Sequence, residues 1–215
     1  MSRPRAEVTG GILAGGRGRR MGGSDKGLLE LAGRPLVAHI VAGLAPQVGR
    51  LLINANRNLD RYGRLGYPVV QDEEPDFQGP LAGMAALLAH SPTPWLVVVP
   101  CDGPFVPPDL VMRLWMARQR AEAEIAVAHD GARMQPVYCL LPTALLEDLR
   151  AFLAAGGRKI DRWYGAHATA LADFSDTPDL FFNVNTPQER RRAEAMLGSG
   201  QNGTTGSILD RSDGS

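Results

Sequence analysis

The 215-residue chain lacks most of the features that assign a protein to a class at sight. It has two cysteines, Cys101 and Cys139, and no CxxC pair. A chain of this size needs no disulfide scaffold, so both read as reduced, buried thiols in a reducing compartment. It has no net charge: Lys plus Arg and Asp plus Glu each number 23. That balance argues against a broad electrostatic surface for nucleic acid or membrane, though not against a local basic pocket for one phosphorylated ligand. No apolar run reaches the ~18 to 20 residues of a membrane span. Arg3 and Arg5 precede a short apolar stretch broken by Gly10, Gly11, Gly15 and Gly16, which does not read as a secretory signal, so the expected location is the cytoplasm. His39, His90, His129 and His167 show no metal-ligand spacing, and no repeat of solenoid period is present.

Two common nucleotide signatures are also missing. A Walker A loop needs Gly-Lys-Ser/Thr, but Lys26 stands between Asp25 and Gly27. The dinucleotide fingerprint would begin at Gly16-x-Gly18, and Met21 occupies its third glycine position. A P-loop and a nicotinamide-dinucleotide oxidoreductase are therefore both disfavoured.

What is present has the composition of a globular protein, 44% hydrophobic and 21% charged. The length suits one well-buried domain, expected over residues 6–197. The Gly/Ser-rich remainder, 198–215, reads as a disordered tail. Strand-like runs fall at Val8 to Ala14, Leu51 to Asn54, Pro68 to Gln71 and Trp95 to Val99, the last continuously apolar as in a strand buried on both faces. Helical patterns alternate with them: Leu36, Val37, Ile40, Val41 and Leu44 share one face, and Leu81 to Ala89 and Asp109 to about Arg120 follow. This alternation predicts an α/β fold, a three-layer αβα sandwich around a mostly parallel sheet. The last third is mixed, with strands expected at Ile125 to His129, Pro136 to Leu141 and Ala168 to Phe174 and a helix at Ala144 to Ala154. Thr186-Pro187-Gln188-Glu189 is a capping box with proline at the first helical position, opening a helix expected to end at Leu197.

The strongest local signal follows the first strand. From Leu13 the chain reads Leu-Ala-Gly-Gly-Arg-Gly-Arg-Arg-Met-Gly-Gly-Ser-Asp-Lys, ending at Lys26. Ligands of open α/β sheets bind beyond the carboxyl ends of the strands. Consecutive glycines let backbone N–H groups approach an anion, and Arg17, Arg19, Arg20 and Lys26 add charge. Together they describe a triphosphate cradle; a flexible turn with solvated arginines is the plain alternative. The second signal is Asp102, just past the apolar strand in Val99-Pro100-Cys101-Asp102-Gly103-Pro104. Mg²⁺ takes hard oxygen ligands, commonly one or two carboxylates plus substrate phosphates, and Asp102 stands at the same sheet edge as the glycine loop. Alone, it could equally be a turn aspartate before Pro104. Asn54, ending the second strand, can read a base edge or simply close a turn. Gly79 and Gly83 allow close approach of a flat ligand, or plain close packing.

The long loop resembles the LAGG-x-x-x-RMGG-x-DKG signature of the molybdenum cofactor guanylyltransferases, a family of Rossmann-like, glycosyltransferase-A-like nucleotidyltransferases, and the resemblance covers roughly residues 8–197. It implies GTP binding by Leu13, Ala14, Gly15, Gly16 and Lys26, with Arg20 a phosphate contact. Ala14-Gly15-Gly16, where relatives using CTP carry Ala-Ala-Gly, implies guanine. Pro100-Cys101-Asp102 is similar to the family's PCD motif, which implies that Asp102 holds Mg²⁺ and the phosphates. Asn54 in Asn-Ala-Asn, Asp72 after Gln71, and Gly79 in Gly-Pro-Leu-Ala-Gly are implied nucleotide contacts. Gln135 in Arg-x-Gln-Pro, Arg158 and Lys159, and Asn183 and Asn185 in Asn-x-Asn-Thr-Pro are implied to line the acceptor side. Two positions depart from the pattern: Gly103, where Thr or Met is usual, and Gln188, where Glu is usual.

The implied reaction is in-line attack by the terminal phosphate of molybdenum-loaded molybdopterin on the α-phosphorus of GTP, with pyrophosphate leaving. A phosphate monoester, with a second pKa of ~6, needs no general base. Lys26, Asp102 and Arg20 would then act by positioning and charge neutralisation. The implied partners are GTP and molybdenum-molybdopterin, then a molybdenum insertion protein and recipient molybdoenzymes or their chaperones, with no nucleic acid and no membrane. The rivals are a cytidylyltransferase or sugar-1-phosphate nucleotidyltransferase on the same fold, and a nucleotide-binding adaptor that delivers cofactor without catalysis.

Overall fold

The structure is a computed structural model that describes residues 4–15, 25–73 and 79–201. Its sheet strands are β1 (Val8–Leu13), β4 (Arg50–Asn54), β5 (Val69–Val70), β6 (Trp95–Pro100), β7 (Ile125–His129), β8 (Met134–Pro142) and β9 (Thr169–Asp173). β2 (Glu30–Leu31) and β3 (Arg34–Pro35) form a separate small hairpin. The helices are α1 (Leu36–Leu44), α2 (Leu59–Gly63), α3 (Pro80–His90), α4 (Leu110–Arg120), α5 (Leu146–Ala154), α6 (Ile160–Tyr164) and α7 (Pro187–Gln201). The seven-stranded sheet has the order β5-β4-β1-β6-β8-β7-β9, and β8 alone runs against its neighbours.

Alternation along the strands sorts the core into two layers. Val97 and Val99 of β6 pack with Val37, Ile40 and Leu44 of α1 and with Leu110 and Leu114 of α4. Leu96 and Val98 face the other way, onto Leu81, Met84 and Leu87 of α3 and onto Leu149, Leu153 and Trp163 of α5 and α6. A strand buried on both faces must be apolar at every position, which is why Trp95 to Val99 reads as one continuous run. The expected three layers are thus realised. A third cluster seats α7 against the small hairpin through Leu31, Val184 and Ala193.

Several boundaries differ from the sequence-based expectation. α7 opens on the predicted capping box: Glu189 accepts from the Asn185 and Thr186 amides at 2.7 and 2.8 Å, and the Glu189 amide donates to Thr186 Oγ1 at 3.2 Å. The helix runs to Gln201, four residues past its expected end at Leu197. The hairpin and the five-residue helices α2 and α6 were not foreseen, being too short to display a period. No helix among the described residues is long and apolar enough to cross a membrane.

Candidate active site

Parallel pairing brings the ends of four strands level. Leu13 of β1 is in register with Asn54 of β4 and Pro100 of β6, and Asn54 with Val70 of β5. The ladder continues one residue further: the Ala14 amide donates to the Asn54 carbonyl at 2.8 Å, Ala55 to Val70 at 2.9 Å, and Cys101 to Leu13 at 3.0 Å. The first residues of the glycine loop, the Asn-Ala-Asn segment, Asp72 and Asp102 therefore share the carboxyl edge of the sheet, where α/β proteins bind ligands.

On the β4 and β5 side, polar groups hold one another. Asn54, 2% exposed, donates to Asp72 Oδ1 at 2.8 Å, and Asn56 donates to Asp72 Oδ2 at 2.7 Å. The Asp72 amide returns a bond to Asn56 Oδ1 at 2.9 Å. Asn54 is wrapped so closely that a Cβ on Gly83 would collide with its amide oxygen, and one on Gly15 would lie 2.9 Å from it. Gly79 has φ +102° and ψ −179° before Pro80, the first residue of α3. Only glycine takes that conformation without strain.

The chain returns to this edge at Asp25, whose carboxylate is buried and held from three sides. Tyr62 donates to Oδ1 at 2.5 Å, Asn58 donates to Oδ2 at 3.0 Å, and Arg57 Nε lies 3.6 Å from Oδ2. This anchor fixes the start of Lys26, whose ammonium reaches 2.5 Å from Asn185 Oδ1 and 3.7 Å from Asp102 Oδ2. Asp102 is tied in turn to the Asn-Val-Asn segment by a 2.8 Å bond from the Val184 amide to its carbonyl. Burial raises the Asp102 carboxyl above the usual range, and the Lys26 charge works against that rise.

Beyond Asp102 lies a cavity of about 380 Å³ whose walls include Asp102, Arg133, Gln135, Tyr138 and Asn183. The Arg133-to-Gln135 wall is shaped by Asp130. Its carboxylate accepts from the Ala132 and Arg133 amides, both at 2.8 Å, and from Gln135 Nε2 at 2.6 Å.

Residues 10–170 match the MobA-like NTP transferase domain family. A molybdenum cofactor guanylyltransferase of Shewanella sp. (strain MR-4) is 52% identical over 186 residues, 86% of this chain and 94% of the relative. One from Shewanella pealeana is 47% identical over 197 residues, 92% of this chain and 98% of the relative. The chain belongs to this family. It is a nucleotidyltransferase. The crystal structure of molybdopterin-guanine dinucleotide biosynthesis protein A from Archaeoglobus fulgidus, 22% identical, has the same fold, with a TM-score of 0.72 over 89% of this chain and 99% of that one.

Within this family frame, the sequence-derived site residues separate into groups. Leu13, Ala14, Gly15, Lys26, Asn54, Asp72 and Asp102 converge at the sheet edge, with Gly79 at the entry of α3. Gly16 and Arg20 lie outside the described residues. Gln135 and Asn183 line the cavity with Asp102, while Asn185 is bonded to Lys26. Arg158 and Lys159 do not join them. The Arg158 guanidinium donates to the carbonyls of Leu153 and Gly157 at 2.8 and 2.6 Å, closing the end of α5. Lys159 sits exposed before α6, and neither residue is part of the cavity wall. Helix ends leave carbonyls without partners, and a cation there satisfies them locally.

Sequence reasoning missed Asp25, Asn56, Tyr62 and Tyr138. Asp25 and Asn56 stood inside the quoted motifs, but nothing local told a buried anchor from a solvated turn residue. The departure at Gly103 has a physical reason: the Tyr138 hydroxyl fills the space that a Cβ on residue 103 would need. Burial pushes the thiols of Cys101 and Cys139 up to about 12, which suits structural thiols and not nucleophiles.

Proposed function

We propose that the protein transfers GMP from GTP to the terminal phosphate of molybdenum-loaded molybdopterin, forming molybdopterin guanine dinucleotide and pyrophosphate in the cytoplasm. The observation that carries this reading is the position of Lys26. Its ammonium lies 2.5 Å from Asn185 Oδ1 and 3.7 Å from the Asp102 carboxylate, at the carboxyl edge of the sheet. A phosphate group brought to the level strand ends beside Asp102 would come within reach of the Lys26 ammonium.

The Asp102 site fits a hard divalent cation such as Mg²⁺. Asp102 offers a hard carboxylate oxygen at the sheet edge, and together with substrate phosphate and water oxygens it would form the donor set that suits Mg²⁺. When bound, the ion would neutralise charge building on the phosphates. Asp102 would hold the ion, Lys26 would bind phosphate oxygens, and Asn54 with Asp72 would fix the nucleoside. Gln135 and Asn183 would seat the acceptor opposite the leaving group. No side chain must take a proton from the attacking phosphate, which is already ionised at neutral pH.

Guanine is favoured by the Ala14-Gly15-Gly16 segment and by relatives of about half identity named as guanylyltransferases. The test is pyrophosphate release from GTP, CTP, UTP and ATP in the presence of Mg²⁺ and molybdenum-molybdopterin. GTP should be turned over at least about a hundredfold faster than CTP, a ratio in reach of a site that hydrogen-bonds the base. Equal rates with CTP would overturn the base assignment, and no release with any nucleotide would overturn the reaction.

A further inference from the structure

Among the described residues, the wall of the cavity contains one buried polar atom without a hydrogen-bond partner. Tyr138 is 2% exposed, and its hydroxyl is buried without a hydrogen-bond partner among the described residues. Its ring is fixed by an edge-on contact with Phe181, centroids 4.9 Å apart. Phenylalanine would keep that packing and remove the unpaired hydroxyl, whose burial costs stability as it stands.

The backbone explains how the side chain comes to face the site. Cys139 of β8 pairs with Val127 and Gln135 pairs with Ala128, so residues 136–138 have no partners on β7. Pairing between β8 and β6 also stops at Cys139. Such bulges bend a strand and re-aim a side chain, and they recur beside active sites. Here Tyr138 lies against Gly103, and Asp102, Arg133 and Gln135 line the same cavity.

We propose that Tyr138 is a specificity residue for the acceptor, its hydroxyl donating a hydrogen bond to an oxygen of the acceptor's terminal phosphate. This rests on the guanylyl-transfer reading and adds a contact on the acceptor side. The chemistry favours an anion. Burial and the nearby Asp102 charge keep the phenol protonated, so it is a constant donor. A neutral donor in the cavity wall adds a hydrogen bond to the phosphate without adding charge to a site that already holds Lys26 and Asp102.

The test is Tyr138→Phe, assayed with molybdenum-molybdopterin and GTP. The KM for the acceptor should rise about tenfold, the KM for GTP should stay unchanged, and the melting temperature should hold or rise. Binding of molybdopterin and of its dephosphorylated pterin gives a second readout. The preference of the protein for the phosphorylated form should shrink by a similar factor in the variant. An unchanged acceptor KM and an unchanged preference would overturn the proposal. So would a fall in melting temperature with equal losses for both substrates, since that marks a structural hydroxyl. If the unaltered protein turns over GTP normally and only this comparison fails, guanylyl transfer stands and the role of Tyr138 does not.

Discussion

On the β4 and β5 side of the cleft, Asn54, Asn56 and Asp72 bond to one another at 2.7 to 2.9 Å, and Asp25 is held by Tyr62 and Asn58. Glycines close in around Asn54 so tightly that methyl groups would not fit. On the β8 side, a cavity of about 380 Å³ is lined by a carboxylate, a guanidinium, two amides and a buried hydroxyl without a partner among the described residues. The first side is complete without a ligand, and the second is not. A site built for a nucleotide gains from groups already oriented by the fold, because the ordering cost is met before binding. Variants on the first side should therefore change nucleotide binding and stability together. Variants on the second should change acceptor binding and leave stability nearly alone.

Asp102 and Lys26 stand where the two sides meet, and the largest effect is expected there. Lys26→Ala or Asp102→Ala should cut pyrophosphate release by about 10²–10³-fold or more, the usual loss when a charge-stabilising group is removed. Stability should not follow activity. Burial raises the Asp102 carboxyl, so the folded state holds that proton more tightly than the unfolded chain. The ionised form then works against folding once pH rises through the folded value. Asp102→Asn should consequently melt no lower than the unaltered protein at neutral pH while being nearly inactive. A large drop in its melting temperature would show the Lys26–Asp102 pair to be a structural brace instead.

Gly83→Ala should have a smaller effect, and a double one. Its Cβ would meet the Asn54 amide and, at 2.6 Å, Leu13 Cδ2. Overpacking of this kind costs about 1–3 kcal/mol. Thermal melting should fall by several degrees and the KM for GTP should rise with it, the acceptor KM staying put. A variant that loses stability but binds GTP normally would break the link between packing and nucleotide orientation on this side.

The same contrast governs what could be read from the sequence. The β1 exit, Asn54 and Asp102 were legible because each sits in a contiguous stretch where strand pattern and chemistry coincide. The apolar run to Val99 fixes where Asp102 must emerge. The β8 side was less legible because its partners come from distant segments. Tyr138 matters through a bulge and through Gly103, thirty-five positions earlier in the chain. Arg158 read as an acceptor-side residue because a cation after a helix fits either role, and only coordinates reveal that its guanidinium bonds the Leu153 carbonyl of α5 and the Gly157 carbonyl beyond it. The reversal of β8 had a signal that went unused. Asp130-Gly131 between two apolar runs marks a hairpin, and Gly131 adopts φ +94° there.

That hairpin turn also carries the smallest expected effect. Burial alone would raise the Asp130 carboxyl, but the Arg133 and Ala132 amides, the Gln135 side chain and the Arg133 charge together hold it below the usual carboxylate range. A carboxyl lowered by folding contributes stability that is fully present above its unfolded pKa of about 3.9 and is lost as pH falls through the folded value. Near neutral pH the contribution is constant, so activity between pH 6 and 8 (on the order of the assay range) should not track Asp130 titration. Asp130→Ala removes the acceptor for three donors near the protein surface, where each bond is worth about 0.5–1.5 kcal/mol or less. Gln135 loses the partner that aims its amide into the cavity. The expected result is a severalfold rise in acceptor KM, an unchanged GTP KM and a shift in melting of a few degrees at most. Equal losses for GTP and acceptor would mean that the turn supports the whole cleft, and the division between a completed side and an open one would have to be given up.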